Sequence, residues 1–95
     1  MPEEFVGTWV SGQRQTKHGP MTFVFRLEGD GYLEVIGTPV GGGGEEFRRY
    51  GPYRLEGGRL VSPALNEGQP IRVALSDGRV TLTIDETLSF RLRRP

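Results

Sequence analysis

The stretch Ile71-Arg72-Val73-Ala74-Leu75-Ser76-Asp77-Gly78-Arg79-Val80-Thr81-Leu82-Thr83-Ile84 decides the fold class. Ile71, Val73 and Leu75 alternate with polar or small residues up to an Asp-Gly pair, and Val80, Leu82 and Ile84 alternate away from it. A period of two on both sides of Asp-Gly marks a β-hairpin, because the tight turn needs positive φ angles that this dipeptide tolerates. Strand signals of this kind recur about every ten residues along the chain. Phe5–Ser11 reads as a first strand, and Met21–Glu28 and Tyr32–Gly37 flank the turn Gly29-Asp30-Gly31. Glu46–Tyr50, Tyr53–Glu56, Arg59–Val61 and Leu88–Leu92 complete the series, with Gly12–Pro20, Thr38–Glu45 and Pro63–Pro70 as loops. No window carries helical spacing.

Closure follows from the edges. An open meander of this length exposes two unpaired strand edges and leaves one face without a covering layer, and curling into a barrel removes both difficulties. The sequence therefore predicts an all-β fold: an eight-stranded, or nine-stranded, antiparallel up-and-down β-barrel forming a single domain over residues 1–95.

Composition narrows the function classes. With no cysteine among 95 residues, disulfides, zinc-thiolate sites and thiol nucleophiles are excluded. The acidic start Met1-Pro2-Glu3-Glu4 has no apolar run behind it, so no export signal is read and a cytoplasmic location is expected. No apolar run is long enough to span a bilayer, so no membrane partner is expected. Twelve basic and twelve acidic residues cancel. The halves do not: residues 1–47 hold seven acids and three bases, and residues 48–95 hold five acids and nine bases. Pairing between arginines and carboxylates of the two halves is the expected resolution. Nucleic acid is not expected as a partner, since the aromatics sit at core parity and the bases are intermingled with acids.

Gly7-Thr8-Trp9 resembles the G-x-W signature of the calycin group, which contains lipocalins, fatty-acid-binding proteins and avidins. With Asp30-Gly31 between two strands, the run Gly51-Pro52-Tyr53-Arg54-Leu55-Glu56-Gly57-Gly58-Arg59-Leu60 and the ending Phe90-Arg91-Leu92-Arg93, the chain resembles small bacterial lipocalin-like domains. The resemblance implies that Trp9 plugs the closed end of the barrel. It also implies that an arginine of the last strand, Arg91, Arg93 or Arg94, lies across the indole as a cation–π lid. The chain departs from typical lipocalins in its shortness and in lacking their flanking helix and disulfides. Avidins stack biotin between several tryptophans; Trp9 is the only one here, which excludes that ligand.

An eight-stranded interior is either filled by side chains or holds one small guest. The candidate lumen residues are Phe23, Phe25, Phe47, Arg49, Tyr53 and Phe90. Alternation puts Arg48 and Arg49 on opposite faces, and an inward arginine without a carboxylate would point to a ligand. The loops Gly12–Pro20 and Thr38–Glu45 fall at one end and mark the expected mouth, with Gly41–Gly44 as a loop tip rather than a phosphate cradle. His18, the single histidine, reads as an exposed loop residue. No serine has the context of a nucleophile elbow, and Glu45-Glu46 and Asp85-Glu86 are poorly disposed as acid/base partners. No catalysis, cofactor or metal is expected. Two functions stand: a barrel binding a small apolar or amphipathic ligand, or a filled barrel acting as a protein-interaction or inhibitor module, self-associating as a homodimer or presenting its loops to another protein.

Overall fold

The computed structural model describes residues 3–17, 19–42, 44–86 and 88–95. Ten strands are present among them: β1 (Gly7–Ser11), β2 (Arg14–Thr16), β3 (Gly19–Leu27), β4 (Tyr32–Pro39), β5 (Phe47–Pro52), β6 (Arg54–Glu56), β7 (Arg59–Val61), β8 (Ile71–Ser76), β9 (Arg79–Thr83) and β10 (Ser89–Arg93). The remaining regular structure is three short 3-10 turns, at Glu3–Phe5, Val40–Gly42 and Asn66–Gly68. All pairings are antiparallel, in the order β5-β4-β3-β1-β10-β9-β8-β7-β6, with β2 also on β3. The result is an all-β, nearly closed antiparallel barrel.

The ten strands make eight walls. Between the pairs Val10↔Val24 and Arg14↔Met21, residues 11–13 of one strand face only residues 22–23 of the other, so β1 and β2 are one strand interrupted by a bulge. The buried Ser11 hydroxyl holds the bulge, accepting from Phe23 N at 2.9 Å and donating to Gly12 O at 2.8 Å. The stretch read as a loop, Gly12–Pro20, is therefore largely strand. β5 and β6 are likewise one strand bent at Tyr53, paired to β4 by its first half and to β7 by its second. At the hairpin that decided the fold, Asp77 (φ 53°) and Gly78 (φ 74°) both adopt the left-handed region the tight turn requires.

The barrel is not sealed between β5 and β7. Where β7 would have to continue to pair with β5, the chain leaves as the segment 62–70, whose Pro63 has no N–H to offer a ladder. Pro63 and Ala64 pack instead beside Gly51 on β5. This seam, and the end to which it opens, positions the candidate site.

One core fills the rest. Trp9, Phe25, Leu33, Leu60, Ile71 and Leu92 are each at most 2% exposed, and Leu27, Val35, Val80 and Leu82 pack among them. The charge distribution departs from the expected pairing between halves. Of the arginines in residues 48–95, only Arg48 reaches acids of the first half, Glu34 at 3.1 Å and Glu46 at 3.0 Å. Arg54 meets Glu56 within its own half at 3.6 Å. No other arginine of that half has a carboxylate partner among the described residues; strand register carries five of them, Arg59, Arg72, Arg79, Arg91 and Arg93, to the outer face of β7–β10.

Candidate functional site

The two ends of the barrel are built from the same chemistry to different effect. At the closed end Trp9 is 1% exposed and its indole N–H donates to Phe5 O at 2.8 Å. The Arg94 guanidinium lies 4.1 Å from the indole centroid and donates to Val6 O (2.9 Å) and Glu4 O (3.1 Å). Gly7 makes this approach feasible: its φ of 128° suits glycine, and a side chain there would collide with Arg94. Arg91 and Arg93, named with Arg94 as lid candidates, are on the outer face. Phe90 and Leu92 occupy the inward parity of β10, so Arg91 and Arg93 point away and Arg94 alone turns back over Trp9.

The other site is a cleft of about 560 Å³ at the seam. Phe23, Phe25, Val35, Phe47 and Arg49 form one bank, and the segment 63–67 with Ile84, Leu88 and Phe90 forms the other. Phe90 is the hub: its ring meets Phe23 edge-on at 5.3 Å and Phe25 at 5.7 Å. Phe47 is left 39% exposed on the edge strand. A second hollow of about 910 Å³ adjoins it at the open end, sharing Phe23, Phe47 and Arg49 and reaching Thr16, Lys17, Pro39 and Gly44. The segments read as the mouth loops thus do meet at one end.

Five of the six candidate lumen residues, Phe23, Phe25, Phe47, Arg49 and Phe90, line this cleft. Tyr53 does not. It is 5% exposed at the β5–β6 bend, where its hydroxyl donates to Glu28 O at 2.9 Å and its N–H donates to Gly31 O at 2.9 Å. Burial, then the charges of Asp30 and Glu28, push the Tyr53 phenol above its ordinary value. Tyr53 is a latch at a corner, not a wall of the site.

Arg49 takes the inward parity of β5 and Arg48 the outward, where it pairs with Glu34 and Glu46. The Arg49 guanidinium stacks on Phe47 at 5.1 Å and has no carboxylate partner among the described residues. A second arginine, Arg14, lies 4.9 Å over the ring of Phe90, which lines the cleft, and likewise has no carboxylate partner among the described residues. Strict alternation from Trp9 would send Arg14 outward. The bulge at 11–13 reverses parity and places it opposite the inward Met21. The only sequence signal for this was Gly12, which is weak. The acids bordering these hollows are Glu67 on the cleft and Glu45 and Glu46 on the outer hollow.

Among the described residues no three His, Cys, Asp or Glu side chains gather as metal ligands, and His18 lies outside the described residues. Among the described residues no helix is long and apolar enough to cross a membrane. A scan against protein-family models finds no match, and neither the curated proteins nor the solved structures searched match the chain.

Proposed function

We propose that this barrel binds, without catalysis, a small amphipathic molecule with an anionic head. The observation that carries the reading is an aromatic cleft of about 560 Å³ with an inward, carboxylate-free arginine on its wall. That volume lies in the range of small-molecule sites, and apolar walls with a few placed polar groups are what such sites share. The apolar body of the guest rests on Phe23, Phe25, Phe47 and Phe90. Its head meets Arg49, with Arg14 beside the ring of Phe90. An arginine that stacks on an aromatic ring keeps its N–H donors in the ring plane free for an anion. The finer resemblance to lipocalin-like, calycin-type domains belongs to the same reading, with the lumen reached from the seam.

A second reading, a protein-interaction module, draws on one observation: Tyr32 and Tyr50 stack in parallel at 5.3 Å on the outer wall, 40% and 61% exposed. Native mass spectrometry of gently purified protein separates the two. The ligand reading predicts an adduct of about a few hundred daltons that is lost on denaturation, or uptake of one added dodecanoate per chain. A clean apo mass with no dodecanoate uptake would overturn it, and a dimer under those conditions would favour the tyrosine surface.

A further inference from the structure

The outer face of β7–β10 carries five exposed arginines, and none of them serves the cleft. Arg59 and Arg72 are direct cross-strand neighbours, as are Arg79 and Arg93, and Arg91 stands on the row between the two pairs. None of the five has a carboxylate partner among the described residues. Like charges placed directly opposite each other on a sheet repel, and this face holds two such pairs. The acids nearby stand at its margin: Glu56 on β6 is the cross-strand neighbour of Arg59 but its carboxylate meets Arg54 at 3.6 Å, and Asp85 and Glu86 border a hollow beside Arg59 and Arg72. The bases that are mixed with acids along the sequence are thus gathered on one face with acids only at its edge, which removes one of the two grounds on which nucleic acid was set aside.

We infer that this face is a docking surface for the phosphate backbone of a nucleic-acid duplex, bound without regard to sequence. From strand geometry the five charges spread over about 14 Å in each direction, in rows about 6.8 Å apart. Duplex DNA offers one charge per about 1.7 Å of axis, so a face of that size meets several phosphates. Two guanidiniums on adjacent strands suit a tetrahedral phosphate, which accepts in several planes, better than a planar carboxylate that one fork saturates. Thr81, opposite Arg91, and Thr83, opposite Arg72, add hydroxyl donors of the kind that contact backbone oxygens. The outward positions of β7–β10 hold no aromatic side chain, and the exposed tyrosines lie on β4 and β5. Without a stacking platform the face has no means to grip a single strand by its bases.

The test is fluorescence anisotropy of a labelled 16-base-pair duplex titrated with the full chain. Binding is expected at 50 mM salt, equal for two unrelated sequences, and weakened roughly 40-fold at 200 mM salt if three phosphates are neutralised. Arg59→Glu/Arg72→Glu should weaken it at least tenfold, while Arg26→Glu, on the opposite wall, changes it less than twofold. Circular dichroism confirms that each variant is folded. No anisotropy change at 50 mM salt, an equal loss in Arg26→Glu, or displacement by polyglutamate as readily as by unlabelled duplex would overturn the inference. The last result would assign the face to an acidic protein.

Discussion

Arginines lie over aromatic rings at both ends of this barrel, and the difference between them lies in the hydrogen bonds. Arg94 covers Trp9 and donates to two backbone carbonyls, so its charge is held by the fold itself. Arg14 and Arg49 cover Phe90 and Phe47 and have no carboxylate partner among the described residues. On the proposed reading, the same side chain is a lid where the fold satisfies its donors and a docking group where it does not. Stability should therefore depend on the closed end, and binding on the seam.

The largest effect should come from Trp9→Ala, which removes the plug from a fully packed core. We expect a loss of about 3–5 kcal/mol in denaturant unfolding. A loss under about 1 kcal/mol would mean that the closed end is not the keystone of the barrel. Arg94→Ala should follow at about 1–2 kcal/mol, through the lost cation–π contact and carbonyl bonds. Guest affinity should be unaltered in Arg94→Ala, and a change there would break the separation between the two ends.

Tyr53→Phe should cost about 1 kcal/mol for one buried hydrogen bond. It also has a pH signature. Because the folded protein holds the phenol above its unfolded value of about 10, the protonated form is favoured by folding. That contribution is intact below the unfolded value and is lost as pH rises through the folded one. Alkaline unfolding curves of the native chain should show this loss above about pH 10, and those of Tyr53→Phe should lack that part. At the small end of the scale, Arg49→Ala should move stability by less than about 0.5 kcal/mol, as expected for an exposed side chain without an ion pair. It should nonetheless weaken dodecanoate binding at least tenfold. Dodecanol, which has no charge, should bind the native chain and Arg49→Ala alike.

The fold was legible because its turns and its periodicity agree. Asp77-Gly78 can hardly be anything but a hairpin tip between two alternating runs, and four phenylalanines at core parity already indicated the cleft wall. What local pattern could not supply was register. A single extra residue in the stretch 11–13 reverses the parity of all that follows in that strand, turning Arg14 from an outward charge into one that lies over the Phe90 ring. Tyr53 belongs to the buried core, but it sits where one strand bends from β4 to β7, which keeps it off the walls of the cleft. The same dependence on register hid the outer arginine face. Arg59, Arg72, Arg79 and Arg93 are far apart in sequence, and only the pairing of four strands makes them neighbours.

The central claim, that the seam is the binding end and the Trp9 end a closed plug, is tested most directly by mapping amide and aromatic NMR shifts of labelled protein during a dodecanoate titration. The account predicts saturable shifts concentrated on Phe23, Phe25, Phe47, Arg49 and Phe90, with Trp9 and Arg94 unmoved. Shifts centred on Trp9, or scattered weakly with no saturation, would contradict it.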